Sequence, residues 1–119
     1  MDNREILEKL LKNLQMIKEI RTDDGYVIHR VASIGRGSAE LLKQLEVDEE
    51  DDIELIKEAT ERLEKIDGIE KKYYDDEQYK KWIRKEARAG NIHIFMDAIH
   101  CVEGALEIFL YKVGWYGQK

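Results

Sequence analysis

Apolar residues recur along most of this chain at alternating steps of three and four. Near the C-terminus, Phe95, Ile99, Val102, Leu106, Phe109 and Val113 repeat in fours and threes. That spacing lines one face of an α-helix; a strand, whose faces alternate at every residue, cannot use it. The 119 residues also contain no proline. No helix meets an obligatory breaker, so helix ends must be set by Gly, Asn and Asp. The expectation is an all-α fold: an antiparallel bundle of four main helices, with room for a fifth short helix at about 75–89. Residues 1–119 read as one domain, without internal repeat or low-complexity linker.

The first helix is expected from about Asn3 to Arg21. Leu7, Leu10, Leu14 and Ile17 form its stripe, Ile6, Leu11 and Ile20 widen it, and Asp2 or Asn3 caps its start. Thr22-Asp23-Asp24-Gly25 reads as a turn. The second helix, about Tyr26 to Val47, carries a seam of Val27, Val31, Ile34, Ser38, Leu41 and Leu45. A strand over Tyr26–Ile34 competes with it, since β-branched residues gather there and Gly35-Arg36-Gly37 offers a break. Such a strand would have no partner. Read as helix, Ala32, Gly35, Ser38 and Ala39 let a neighbouring helix pack closely.

The third helix begins near Asp51. Ile53, Ile56, Thr60 and Leu63 share a face, with Ala59 and Ile66 beside them, and Asp67-Gly68 suggests its end. Glu70 to Tyr74 reads as a connection or a helical turn. The short helix then carries Tyr79, Trp82, Ile83 and Ala87, and Gly90-Asn91 follows it as a kink or break. The last helix, about Asn91 to Val113, is apolar over most of its circumference. It should lie centrally, and Gly114 and Gly117 end it, leaving Trp115 and Tyr116 in a short tail.

Composition narrows the class. Hydrophobic residues make up 43% of the chain, too many for a disordered segment. Charged residues make up 39%, which suits long helices with solvated outer faces. The net charge of −6 disfavours nonspecific nucleic-acid binding by the whole surface, although a local basic patch escapes that objection. Cys101 is the single cysteine. It excludes an intramolecular disulfide and a multi-cysteine zinc site, and fits a reducing, cytoplasmic setting. Met1-Asp2-Asn3-Arg4-Glu5 lacks the pattern of a signal peptide. No apolar run approaches the roughly 20 residues that span a bilayer, so no membrane association is expected.

Four patterns bear chemistry. Asp23-Asp24, Glu46–Asp52 and Asp75-Asp76-Glu77 are acidic runs, each placed just before an expected helix. Carboxylates there cap free N–H groups and favour the positive end of the helix dipole. The run at 46–52 lacks the alternating ligands and central glycine of a calcium loop.

His93, Asp97 and His100 are spaced by four and three on the last helix, and Gly104, Glu107 and Tyr111 continue their strip. Two imidazoles and a carboxylate suit zinc, iron or manganese, and His29 is the only other histidine that could join them. A metal would be the only cofactor; no other is expected. The bland alternative is the ordinary polar side of an amphipathic helix. Only Asp97 and His100 have the i, i+3 carboxylate–histidine spacing of a di-metal bundle, and no second copy of that spacing exists.

The third pattern is the stretch 71–88, where Lys71, Lys72, Lys80, Lys81, Arg84, Lys85 and Arg88 stand against four acids. Its balance of +3 leaves −9 on the rest of the chain. Tyr73, Tyr74, Tyr79 and Trp82 are interleaved. The mixture suits a protein interface, anchored by Tyr79, Lys81, Trp82, Arg84, Lys85 and Arg88 with the Trp115-Tyr116 tail. It also suits nucleic acid, whose phosphates meet cations while its bases stack on rings. The plainest alternative is a solvated helix with Tyr79, Trp82 and Ile83 turned inward.

The fourth pattern is Arg88-Ala89-Gly90-Asn91-Ile92-His93. It resembles the Arg-x4–6-His motif of the HEPN family, small helical bundles that include ribonucleases and partners of nucleotidyltransferases. The resemblance implies that Arg88 and His93 contact the scissile phosphate of RNA, usually across a dimer. It covers six residues, and Ala89 stands where the family usually has a polar residue.

Taken together, the residues favour a small non-enzymatic interaction protein that binds another protein or itself as a homo-oligomer. The alternatives are a metal-dependent or HEPN-like hydrolase using Arg88, His93, Asp97 and His100, and a nucleic-acid-binding module acting through 71–88.

Overall fold

In a computed structural model of the chain, residues 2–20, 27–89 and 96–114 are described. Among them are five α-helices and no strand: α1 (Asn3–Lys18), α2 (Val27–Lys43), α3 (Glu50–Asp75), α4 (Glu77–Arg88) and α5 (Met96–Lys112). Four of them, α1, α2, α3 and α5, make an antiparallel bundle. The strand alternative for residues 27–34 is excluded, since α2 runs unbroken through Gly35 and Gly37.

Side-chain links give the directions. Asn3, at the start of α1, donates through Nδ2 to the Glu46 carbonyl (2.7 Å) just beyond α2, and its Oδ1 accepts from the Glu46 N–H (2.9 Å). Ten residues on, Asn13 donates to the Ser38 hydroxyl at 2.9 Å. Rising numbers on α1 thus meet falling numbers on α2. Arg36 reaches Asp67 while His29 reaches Glu70, so α3 also opposes α2. Cys101 reaches Arg62 and Lys112 reaches Glu58, so α5 opposes α3.

α1 buries Ile6, Leu10, Leu14, Ile17 and, just past its end, Ile20. Each such side chain contributes roughly 1.5–3 kcal/mol of transfer free energy. Asp2 caps the helix by accepting from the Glu5 N–H at 2.9 Å. Around the bundle each helix touches its neighbours, and α2 also meets α5 across the middle. The short diagonal depends on small residues: Ala32, Gly35, Ser38 and Ala39 of α2 are all buried. A Cβ placed on Gly35 would lie 3.0 Å from Val102 Cγ2 of α5 and 3.1 Å from Ile66 Cγ2 of α3. The expected seam of α2 is therefore displaced. Val27, Val31 and Ser38 of that seam are buried, but Ile34, Leu41 and Leu45 are only half-buried, and Ile28, Ala32, Gly35, Ala39 and Leu42 complete the inward face.

α5 buries Ile99, Val102, Leu106 and Phe109, with Ala98, Ala105 and Leu110 beside them. It touches α1, α2 and α3, the central place its apolar arc demands. Gly114 takes φ 75, and its N–H bonds the Tyr111 carbonyl at 3.0 Å. This left-handed turn, easy for glycine alone, closes the helix. The expectations for Thr22–Gly25, Gly90–Phe95 and Trp115–Gly117 lie outside the described residues.

α3 corrects the sequence reading. It does not end at Asp67-Gly68 but continues to Asp75. Glycine inside a helix costs only about 1 kcal/mol against alanine, and buried Ile66 and Tyr73 with half-buried Ile69 carry the apolar face past it. Glu70–Tyr74 is thus helix, not connection. At its other end Ile53 is 50% exposed, although its spacing grouped it with the core. The 26 residues make a rod of about 39 Å at 1.5 Å per residue. α4 follows after one break at Asp76, whose side chain accepts from the Tyr79 N–H at 3.0 Å.

Candidate functional site

The α3–α4 elbow gathers the aromatic and basic residues of the 71–88 stretch. Tyr73 is buried and Tyr74 is half exposed, and their rings meet edge-on at 5.2 Å between centroids. Lys80 of α4 lies over both rings, at 5.8 and 5.7 Å, and Lys72 of α3 lies 4.6 Å from the Tyr79 ring. These cation–π contacts join the two helices and engage two of the seven cations internally. Ile83 is buried and Tyr79 half-buried on the inner side of α4.

The outer side is different. Lys81, Arg84, Lys85 and Arg88 are exposed. Their spacing of three, one and three puts them on one face. None of them makes an ion pair among the described residues. Trp82 stands at the edge of this face, 48% exposed, with its ring 6.1 Å from that of Tyr79. The plain alternative of Tyr79, Trp82 and Ile83 all turned inward is corrected: Ile83 is inside, Tyr79 is intermediate and Trp82 is outside. A 100° step per residue explains the split, since neighbouring positions 82 and 83 cannot share one narrow face. Tyr74 joins the exposed aromatics here although it was not among the expected anchors. Only the packing of Tyr73 inward on α3 exposes it.

The histidine strip divides. His93 lies outside the described residues, as does the side chain of Asp97. His100 is exposed on α5. His29 is on α2 and faces α3, its Nδ1 3.5 Å from the Glu70 carboxylate. Glu70 also accepts from Arg36 at 2.6 Å, and Asp67 accepts from the same guanidinium at 3.2 Å. The hydrogen bond to Glu70, followed by that to Asp67, raises the Arg36 pKa above its ordinary value. The cluster clamps α2 onto α3. Among the described residues no three His, Cys, Asp or Glu side chains are grouped as a metal site.

Below His100 the strip runs into an open groove of about 680 Å³ between α5 and α3, lined by Arg62, Gly104, Glu107, Ile108, Tyr111 and Lys112. Gly104, Glu107 and Tyr111 were legible as a continuation of the strip. Arg62 was not, because it comes from another helix. Ile108 is exposed, so the apolar arc of α5 reaches solvent there, and Tyr111 is 72% exposed. Lys18 of α1 pairs with Glu107 at 2.9 Å and fixes the groove's outer wall.

Cys101, expected as a buried thiol, is half-buried. Its Sγ donates to the Arg62 carbonyl at 3.2 Å, and burial pushes the thiol pKa up. That environment disfavours the thiolate and with it nucleophilic chemistry.

The acidic runs behave unequally. Asp2 and Asp76 form true caps, accepting from the Glu5 and Tyr79 N–H groups. The N-cap residue of α3, Glu49, makes no side-chain cap bond. Glu50, Asp51 and Asp52 act on that helix through its dipole alone. Asp23-Asp24 lies outside the described residues.

Comparison of the chain with family models, with curated proteins and with solved structures gives no match. No helix among the described residues is long and apolar enough to cross a membrane.

Proposed function

We propose that this chain is a small non-enzymatic interaction protein that takes an acidic protein surface on the outer face of α4. One observation carries the reading: four exposed cations without ion-pair partners among the described residues share a face bordered by a half-exposed Trp82, on a helix packed mainly against α3. Arg and Trp are the usual anchors of protein interfaces. Unpaired cations are already free to meet carboxylates, so no internal ion pair must break first. A protein partner is favoured over nucleic acid because bases need open ring faces for stacking, and the rings of Tyr73 and Tyr79 are engaged by Lys80 and Lys72. Cytoplasmic residence belongs to the same reading, supported by a lone cysteine with no disulfide partner in its chain.

Trp82 fluorescence in a Trp115→Phe background tests the proposal. Poly-glutamate should produce a saturable change at low salt that fades as salt rises. Lys81→Glu/Arg84→Glu/Lys85→Glu should abolish it. No binding at low salt overturns the proposal. Tighter binding of a single-stranded oligonucleotide than of poly-glutamate replaces it with the nucleic-acid reading.

A further inference from the structure

We infer that the acidic surface taken by α4 is the far end of a second copy of this chain, centred on residues 46–52. The inference rests on the proposal above and names its partner.

Six of the seven residues from 46 to 52 are carboxylates. Glu46, Asp48, Glu49, Glu50 and Asp51 are exposed, and Asp52 is half-buried. None of the six makes an ion pair among the described residues. The cations of α4 are equally unmatched. The acidic run opens α3 and α4 follows its far end; α3 spans about 39 Å by helical rise and α4 about 18 Å, so the patches are separated by about 20 Å or more. The Debye length is about 8 Å at physiological ionic strength. Within one molecule the patches therefore cannot neutralise each other; between two molecules they can.

Apolar side chains point the same way. Ile53, one helical turn after Glu49 and Glu50, is 50% exposed, and on α4's end Trp82 and Tyr74 are each 48% exposed. Each patch thus places an uncovered apolar side chain beside its charges, with ions of the other sign also near, Lys57 one turn from Ile53 and Asp75, Asp76 and Glu77 beside Tyr74. Apolar side chains with polar rims are the anatomy of protein interfaces, and here the prevailing charges, acidic at 46–52 and basic at 81–88, have opposite signs. The contact joins unlike surfaces, and each copy presents both. Depending on the rotation between copies, it closes into a ring or pair, or grows as a chain.

Sedimentation across a concentration series should show self-association that weakens with salt. Lys81→Glu/Arg84→Glu/Lys85→Glu and, separately, Asp48→Lys/Glu49→Lys/Glu50→Lys should each weaken it by about tenfold or more, equivalent to at least about 1.4 kcal/mol. Mixing the two variants should restore association, because each supplies the sign the other has lost. Ile53→Ser leaves the α3 dipole untouched and covers the case in which the lysine variant misfolds. It should weaken association while poly-glutamate binding stays unchanged. A wild-type chain that stays monomeric at low salt while binding poly-glutamate overturns this inference and leaves the proposed function standing. A wild-type chain that fails to bind poly-glutamate at low salt overturns both. Association unaffected by either reversal also overturns the inference.

Discussion

α2 and α4 are both short amphipathic helices, and they meet opposite fates. α2 touches α1, α3 and α5 and buries Ala32, Gly35, Ser38 and Ala39. Its small side chains contribute little transfer free energy themselves, but they let three other helices approach. α4 packs mainly against α3, holds itself there with Ile83, Tyr79 and two cation–π contacts, and gives its other side to Lys and Arg. A helix with several neighbours is constrained by volume. A helix with one principal neighbour has a free face, and charge decides what that face does.

Substitutions on the two sides should separate these constraints. The largest effect is expected in the core that α2 helps close. Leu106→Ala, at a position with no exposure, should cost about 3 kcal/mol in chemical denaturation; a loss under about 1 kcal/mol would mean the α5 seam is not the core. Asn13→Ala removes the bond to the wholly buried Ser38 hydroxyl and should cost about 1–2 kcal/mol.

Glycine substitutions sharpen the contrast along the chain. A Cβ on Gly68 meets nothing within 4 Å, so Gly68→Ala should gain about 0.5–1 kcal/mol. Gly35→Ala gains the same helix propensity but crowds Val102 and Ile66, so its midpoint should not rise. Equal gains at both would refute the close approach of α2. On α4, Lys81→Glu/Arg84→Glu/Lys85→Glu should shift stability by no more than about 0.5 kcal/mol per site, measured by thermal unfolding, while binding is lost.

Cys101 gives the smallest effect. Its raised pKa means the folded thiol keeps its proton where an unfolded one, at about 8.5, loses it. The stability tied to that proton is complete below the unfolded value and falls as pH rises toward the folded one. Denaturation midpoints should therefore decline slightly above about pH 8.5, and a Cys101→Ala variant should lack that decline. Folded chain should react with an aromatic disulfide reagent more slowly than denatured chain.

Much of the bundle was legible because helical periodicity is a local signal. Leu10, Leu14 and Ile17 of α1 and Ile99, Val102, Leu106 and Phe109 of α5 are buried as their spacing predicts, while Leu7 and Val113 are half-buried; the Asp2 cap and the Gly114 stop were also legible. What failed depended on neighbours. Gly68 looked like an end because glycine is a weak breaker everywhere, and only the apolar face continuing through Tyr73 shows that the helix survives it. Ile53 had core spacing, but α5 covers the Ile56 and Ala59 side of α3 and leaves Ile53 half exposed. Ile34 and Leu41 were apolar and in register, yet the inward face of α2 is turned toward Ile28, Ala32, Gly35, Ala39 and Leu42 and leaves them half-buried at its edge. The candidate site divided similarly. The cations of α4 were plain from composition. The outward turn of Trp82, the exposure of Tyr74 and the place of Arg62 in the groove required three dimensions.

Gly35 also acts as an alignment mark. Gly37, the other glycine of α2, lies on the exposed side, so Gly35 is the single position on the inner face where the backbone can approach Val102 and Ile66 so closely. Sliding α2 by one turn in either direction would bring Val31, Ser38 or Ala39 to that spot and force a side chain into it. One missing methyl group thereby fixes the vertical offset between α2, α3 and α5. The same offset determines where the end of α3 falls, and so where α4 is presented.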